Sequence, residues 1–252
     1  MSLLVADAVT KHFSGLTALD HVPLPVAPGE IVGLIGPNGA GKTTLFNCLY
    51  GVLTPDRGRV SFDGNDLSRL PVHRRARLGM GRTFQRIELF VGMTVRDHLL
   101  VAERARRGDG GLLKDLLNRA RPTEDERSRV AATLALVGLE EVADRPIESL
   151  SLGRGRLVEL GRALMIEPKL LLLDEPSSGL DHRETEEMAD VLDSVRAERG
   201  IAILLVEHDV AMVRRVTSRL YVLDFGHLIG QGATADVIGD AAVRQAYLGD
   251  TL

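Results

Sequence analysis

One stretch of the sequence decides the fold: Ile31-Val32-Gly33-Leu34-Ile35-Gly36-Pro37-Asn38-Gly39-Ala40-Gly41-Lys42-Thr43-Thr44. Its first five residues are apolar and partly β-branched, which favours a short strand buried on both faces. A glycine-rich loop follows at once, and the residues from Thr43 to Val52 then have the pattern of a helix. A strand, a glycine-rich loop and a helix in this order predict a phosphate-binding loop of the Walker A type.

The residue types of this loop suit a nucleotide triphosphate. Glycines let the backbone curve around the phosphates so that successive amides point inward, and the helix N-terminus adds its dipole. We expect Lys42 to reach the β- and γ-phosphates of ATP, and the Thr43 hydroxyl to be a Mg²⁺ ligand. The predicted ATP-binding residues of the loop are Gly36, Pro37, Asn38, Gly39, Ala40, Gly41, Lys42, Thr43 and Thr44.

A second motif ends another apolar run, Leu170-Leu171-Leu172-Leu173-Asp174-Glu175. Because α/β sheets bind ligands at the carboxyl ends of their strands, two adjacent acids at such an end are hard to explain by structure alone. We predict that Asp174 completes the Mg²⁺ shell and that Glu175 polarises the water that attacks the γ-phosphate.

The order of these motifs resembles the ATP-binding subunits of ABC transporters, and the resemblance covers nearly the whole chain. It implies that Gln85, in a Q-loop, contacts Mg²⁺ and the attacking water. It also implies that His208 hydrogen-bonds the γ-phosphate and that Phe13, 23 residues before Gly36, stacks on adenine. The D-loop that crosses the dimer interface in this family corresponds to Ser177, Ser178, Gly179, Leu180 and Asp181.

The family's signature motif, normally Leu-Ser-Gly-Gly-Gln, is altered in this chain to Leu150-Ser151-Leu152-Gly153-Arg154. Ser151 and Gly153 keep a hydroxyl and a helix N-terminus that can face the γ-phosphate bound by the other subunit. Leu152 replaces a glycine, and Arg154 replaces a glutamine with a charged donor suited to phosphate.

Strands alternate with helices on either side of a long helical segment, which predicts an α/β fold with parallel β-α-β units. The resemblance specifies a P-loop NTPase (RecA-like) core with an antiparallel β-subdomain and an inserted α-helical subdomain. Residues 1–87 and 148–252 would form the core with the β-subdomain, and residues 88–147 the helical insertion. Within the insertion, Thr94 is expected to cap a helix together with Asp97.

Composition excludes several classes of protein. A net charge of −4 gives no global reason to bind nucleic acid. The cluster His73, Arg74, Arg75 and Arg77 indicates a solvated helical face, with a docking or nucleic-acid contact as the alternative. The single cysteine, Cys48, excludes an intrachain disulfide and is expected to pack in the core. No run approaches the ~20 apolar residues of a membrane span, and the N-terminus lacks a signal peptide's pattern. We therefore expect a cytoplasmic protein.

More narrowly, the chain resembles the ATPases of branched-chain amino acid importers, and more loosely those of lipopolysaccharide export. The features concerned are Gly81 to Gln85, the segment around Leu112-Leu113-Lys114-Asp115, and the ending Ala246-Tyr247-Leu248-Gly249-Asp250. The resemblance implies hydrolysis of ATP with Mg²⁺ coupled to transport. The partners it implies are a second ATP-binding subunit, identical or paralogous, transmembrane permeases at the inner face of the cell membrane, and a solute-binding protein, with no nucleic acid.

Three other functions fit the Walker motifs alone: an ABC-type ATPase acting away from membranes, a small-molecule kinase, and a regulatory module that holds ATP without hydrolysing it. Non-transport ABC ATPases typically carry two cassettes, and this chain has one. A kinase would leave the signature and D-loop unexplained, and intact Glu175 and His208 disfavour a non-hydrolysing module.

Overall fold

Two β-sheets with helices packed on them make up the described part of the chain, a computed structural model covering residues 2–83, 89–107 and 122–245. The strands are β1 (Leu4–Phe13), β2 (Leu16–Val26), β3 (Ile31–Ile35), β4 (Arg57–Phe62), β5 (Asn65–Asp66), β6 (Met80–Arg82), β7 (Leu170–Asp174), β8 (Ala202–Val206), β9 (Arg219–Asp224) and β10 (His227–Ala233). The described α-helices are α1 (Lys42–Tyr50), α2 (Val72–Arg77), α3 (Val95–Arg107), α4 (Glu124–Leu136), α5 (Leu152–Met165), α6 (His182–Arg199), α7 (Val210–Val216), α8 (Thr234–Gly239) and α9 (Ala241–Val243). Two 3₁₀ turns, Glu140–Val142 and Ile147–Ser149, precede α5.

The larger sheet has six strands in the order β10-β9-β3-β8-β7-β6. Strands β6 to β9 and β3 run parallel, and β10 pairs with β9 in the antiparallel direction. Every residue of β3, β7 and β8 is buried, as their continuous apolar runs predict. Since β8 lies between β3 and β7 and all three strands are parallel, the phosphate loop and the acids Asp174 and Glu175 lie at the same edge of the sheet. This arrangement is expected of a P-loop NTPase core.

The smaller sheet is antiparallel, with the order β2-β1-β4-β5, and corresponds to the predicted antiparallel β-subdomain. An Asp63-Gly64 turn joins β4 to β5, with positive φ values of 48° and 76°. Side chains of β8 alternate between the two faces of the larger sheet. Leu204 packs towards α1 and the smaller sheet, whereas Ile203 and Leu205 pack towards α3 to α6.

The helical segment contains α3 and α4, and its predicted cap is confirmed. The Asp97 amide donates to Thr94 Oγ1 at 3.1 Å, and the Thr94 amide donates to Asp97 Oδ2 at 3.2 Å. Residues 108–121, which include the segment around Leu112, lie outside the described residues, as does the ending from Ala246. The division into a core and an insertion stays a prediction. No helix of the described ranges has the length and apolarity to cross a membrane.

The interpretation of the basic cluster as a solvated face is wrong for Arg75. This side chain is 2% exposed, and its guanidinium donates to the carbonyls of Cys48, Leu49, Leu67 and Leu70 at 2.7 to 3.0 Å. A charged side chain can be buried when carbonyl oxygens satisfy its donors, and the sequence does not show that α1 supplies two of these carbonyls. The prediction for Cys48 is confirmed, since it is buried and burial raises its thiol pKa to about 11.

Candidate active site

The site lies at the carboxyl edge of the larger sheet, where parallel strands deliver their following residues to one place. Strand β3 leads into Gly36, β7 into Glu175, and β8 into Glu207 and His208. A cavity of about 630 Å³ opens there, a size suited to a nucleotide. Its lining residues are Phe13, Leu16, Thr17, Ala18, Asn38, Gly39, Ala40, Gly41, Lys42, Thr43, Thr44, Glu175 and Phe225.

The phosphate loop needs glycine at two of its positions. Gly41 precedes α1 with φ 103°, and a Cβ at this position would lie 2.6 Å from the Ala18 carbonyl oxygen. A Cβ at Gly36 would lie 2.1 Å from the Leu223 carbonyl oxygen. Because any side chain would collide with backbone there, the loop is fixed between β2 and the end of β9.

Lys42 is held over the loop in which it lies. Its side chain is buried, and Nζ donates to the carbonyls of Gly36 at 2.5 Å and Pro37 at 2.9 Å. Burial lowers the pKa of Lys42, and the negative charges of Glu175 and Asp174 act in the opposite direction. The ammonium group is therefore positioned where phosphate oxygens would replace the loop carbonyls as acceptors.

Asp174 has one carboxylate oxygen without a partner. The residue is 2% exposed, and Oδ1 finds no hydrogen-bond partner among the described residues, while Oδ2 accepts from Arg82 at 3.3 Å. Burial raises the pKa of Asp174, and the Arg82 charge lowers it. An unpaired buried carboxylate oxygen, together with the exposed Thr43 at the start of α1, fits a Mg²⁺ ion, which binds through few protein oxygens and relies on phosphates and water for the rest. Such an ion would neutralise charge that develops on the phosphates.

No group of three or more His, Cys, Asp or Glu side chains able to hold a metal occurs in the described ranges. A site of one carboxylate and one hydroxyl needs no such group, because substrate phosphates supply the other ligands.

Arg82, at the end of β6, is a site residue that the sequence analysis missed. Besides Asp174, its guanidinium donates to Asn47 Oδ1 at 2.8 Å and lies over the rings of Phe46 and Tyr50 at 5.8 and 5.7 Å. Arg82 thus ties the β7 carboxylate to α1 and restrains one of its two oxygens. Only the fold brings these residues together. An arginine shortly before the predicted Q-loop does not by itself indicate in the sequence that it contacts Asp174 and α1.

The two predicted catalytic residues Glu175 and His208 are in contact. His208 Nε2 lies 2.6 Å from Glu175 Oε1, and Glu175 borders the cavity beside the phosphate loop. Glu175 has φ 52°, and its amide donates to the Val206 carbonyl at 2.9 Å, which fixes its backbone against β8. Their proximity agrees with roles in hydrolysis, and the roles themselves stay predictions. The third predicted catalytic residue, Gln85, and the preceding Phe84 lie outside the described residues.

Glu207 is a second residue missed by the sequence analysis. It is 2% exposed, and its Oε1 accepts from the Ser177 amide at 2.8 Å while Oε2 accepts from the His208 amide at 3.0 Å. A buried carboxylate held by backbone amides is well satisfied. Glu207 therefore joins the start of the predicted D-loop to the segment that carries His208.

The altered signature begins α5 as predicted. Ser151 is the N-cap of this 14-residue helix, and its Oγ accepts from the Arg154 amide at 3.3 Å. The described residues that line the cavity do not include Ser151, Leu152, Gly153 or Arg154. The signature therefore lies outside the described lining of its own chain's cavity, and its contact with a nucleotide held by another subunit stays a prediction.

The signature and the D-loop of the same chain pack against each other. A Cβ at Gly179 would lie 2.9 Å from Leu152 Cδ2, and a Cβ at Gly153 would lie 2.7 Å from the Glu184 carboxyl carbon. Glu184 in turn completes the capping box of Asp181 at the start of α6. Leu152, although 44% exposed, therefore contacts the predicted D-loop.

Phe13 lies at the cavity rim, as its predicted role requires. It is 42% exposed and ends β1, and Lys11 Nζ lies 5.6 Å from its ring centroid. Phe13 lies 23 residues before Gly36, so no local pattern links it to the phosphate loop. Only the resemblance to the family indicates its role.

Comparison with known proteins agrees with this geometry. A family model described as "ABC transporter" matches residues 19–178. The high-affinity branched-chain amino acid transport ATP-binding protein LivG of Salmonella typhimurium is 39% identical over 98% of both chains. The lipopolysaccharide export system ATP-binding protein LptB of Escherichia coli is 35% identical over 99% of this chain and 98% of its own length.

A solved structure has the same fold over its whole length. The ADP conformation of MJ1267, an ATP-binding cassette of an ABC transporter, superposes with a TM-score of 0.86 at 32% identity, covering 99% of this chain and 100% of that one. The phosphate loop, the adjacent acids at the carboxyl end of β7 and these full-length matches lead to one conclusion. The chain belongs to the ABC transporter family, in which it is an ATP-binding subunit that hydrolyses ATP.

Proposed function

We propose that this ATPase energises the import of branched-chain amino acids through membrane-embedded permeases. The observation that carries the proposal is the 39% identity to LivG over 98% of both chains. A cassette contains no cargo site of its own in this scheme, so the cargo would be recognised by permeases and by a solute-binding protein. The protein would then lie at the inner face of the cell membrane, held there by its permeases.

Two ATP-binding subunits, identical or paralogous, would form a head-to-tail dimer with two ATP sites. In each site Ser151 and Gly153 of one subunit would face the γ-phosphate held by the other subunit's phosphate loop. The N-terminus of α5 supports this, because its dipole favours an anion and because it is absent from the described lining of its own cavity. ATP would favour the closed dimer through its greater affinity for that state, and hydrolysis would release it.

The permeases would contact the face near the Q-loop and the helical segment. Phe90 and Val91, which follow the predicted Q-loop, are 55% and 84% exposed, so apolar area is available beside α3. Export of a lipopolysaccharide is the second candidate, and the 35% identity to LptB supports it.

Transport into proteoliposomes tests the cargo. The protein would be purified with the permeases encoded beside its gene and supplied with Mg²⁺-ATP and the neighbouring solute-binding protein. We expect ATP-dependent uptake of labelled leucine, isoleucine or valine, and none with the Lys42→Ala variant. Extraction of lipopolysaccharide without amino acid uptake would contradict import and support the second candidate.

Restoring the family glycine at Leu152 tests the altered signature. The contact of Leu152 with Gly179 predicts that Leu152→Gly removes apolar packing from the D-loop and loosens it. ATP-dependent dimer formation should then fall by about three- to tenfold, the effect of roughly 1 kcal/mol of lost packing. Dimer formation would be measured by analytical ultracentrifugation with the Glu175→Gln background to retain ATP. Val52→Gly, an exposed apolar side chain outside the cavity lining, is the matched control. An unchanged dimerisation constant would show that Leu152 is neutral.

A further inference from the structure

The turn between β9 and β10 contains an exposed aromatic residue with an unfavourable backbone conformation. Asp224 pairs with His227, so Phe225 and Gly226 form a two-residue hairpin loop, with φ values of 41° and 81°. Loops of this kind need positive φ at both positions and favour Asn, Asp or Gly at the first. A bulky residue with positive φ is an outlier, and Phe225 is also 80% exposed.

Two other hairpins of this chain show that the turn itself does not need an aromatic. The β1–β2 loop is Ser14-Gly15, with φ 44° and 91°, and the β4–β5 loop is Asp63-Gly64, with φ 48° and 76°. Both place a small polar residue where the third loop has Phe225. Nothing within the turn offsets the backbone strain of a phenylalanine at this position. Residues strained in this way are concentrated at functional sites.

The turn is fixed to the phosphate loop and to β2. The Gly226 amide donates to the Ala40 carbonyl at 3.0 Å, and the Gly226 carbonyl accepts from the Asp20 amide at 2.9 Å. A Cβ at Gly226 would lie 2.8 Å from the Ala18 carbonyl oxygen, so the backbones are in close contact. Phe225 is thus held in a set position relative to the loop that binds the phosphates.

Phe225 also lies beside the other apolar residues of the cavity. Among the eight large hydrophobic side chains exposed in the described residues, Phe13, Leu16 and Phe225 line this one cavity. Phe13 and Leu16 come from the β1–β2 hairpin, whereas Phe225 follows β9 at the carboxyl edge of the sheet. An apolar rim above a phosphate-binding loop suits the flat, apolar faces of a purine.

We propose that Phe225 is a second aromatic contact for the nucleobase of the bound nucleotide, in addition to Phe13. Its ring covers purine surface that Phe13 leaves open, and the pre-formed turn holds it there before the nucleotide arrives. The proposal rests on ATP occupying the cavity. It gives a function to an exposed aromatic at a position that favours a small polar residue.

The test uses a substitution that should weaken nucleotide binding without lowering the stability of the fold. Phe225→Asn removes the ring and supplies a residue that the turn favours, so the melting temperature should stay the same or rise. The dissociation constant for ADP, measured by calorimetry on the full chain, should rise about tenfold, as expected for loss of one base–aromatic contact. The dissociation constant for inorganic tripolyphosphate, which has no base, should not change. Phe225→Tyr should keep the wild-type affinity for ADP.

Ile229→Asn is the matched control, since Ile229 is an exposed apolar residue of the same hairpin outside the described cavity lining. It should bind ADP as the wild type does. Wild-type ADP affinity in Phe225→Asn would overturn the proposal, and a simultaneous loss of ATP-dependent self-association would instead assign Phe225 to a subunit contact. Equal losses for ADP and tripolyphosphate would also overturn it, because the phosphate loop would then be disturbed. If the wild-type chain bound neither ADP nor tripolyphosphate, the assignment of this cavity as the ATP site would itself be wrong.

Discussion

Glu175→Gln should lower the rate of ATP hydrolysis by about 10²- to 10⁴-fold, the range that a positioned general base contributes. Glutamine has nearly the same shape and can still accept a hydrogen bond from His208 Nε2, which lies 2.6 Å from the present carboxylate. It cannot take a proton from water. The measurement is phosphate release at saturating Mg²⁺-ATP.

The same variant should retain ATP binding, because Glu175 borders the cavity without forming part of the phosphate loop. The uncleaved nucleotide should then hold the closed dimer, visible as a larger species in size exclusion with ATP and absent with ADP. Glu187→Gln on α6 is the control, since Glu187 pairs with Arg183 on the outer surface. A wild-type rate of ATP hydrolysis in Glu175→Gln would show that Glu175 is not the general base.

The fold could largely be predicted because its strands carry strong local signals. The runs that precede Gly36 and Asp174 are apolar throughout, and the structure buries each of them completely. Arg75 departs from the solvated face that its charged neighbours indicate. Its guanidinium donates to four carbonyls of α1 and of the chain after β4, and no hydrophobic or charge pattern encodes those contacts.

The site was predictable to the extent that its residues follow strands directly. Lys42 follows β3 and its loop as the first residue of α1, and Glu175 and His208 follow β7 and β8, so one parallel sheet brings all three to one edge. Arg82 contacts the Asp174 carboxylate, and Glu207 accepts from the amides of Ser177 and His208, and these contacts depend on how strands are ordered across the sheet. Phe225 differs again, since its turn favours Asn or Gly, and its importance becomes visible only beside the cavity.

Lys42→Ala should weaken ATP binding about 100-fold, the loss expected when a charged donor with a net value of roughly 3 kcal/mol is removed from a phosphate. Nζ already lies at the loop, donating to the Gly36 and Pro37 carbonyls, so little rearrangement is needed for it to meet the phosphates. Because the lysine is predicted to reach the β- and γ-phosphates, ATP should lose more affinity than AMP. Calorimetry with each nucleotide measures this difference.

Loss of the ammonium group must be separated from loss of its buried stem. Lys42→Met keeps an apolar chain of similar length, so it should preserve the packing of α1 while it removes the charge. Lys169→Ala, on a lysine paired with Asp63 away from the cavity, controls for a change in net charge. Equal ATP affinity in Lys42→Met and the wild type would contradict the role of Lys42. A loss in Lys42→Ala alone would show that packing, and not the charge, had been measured.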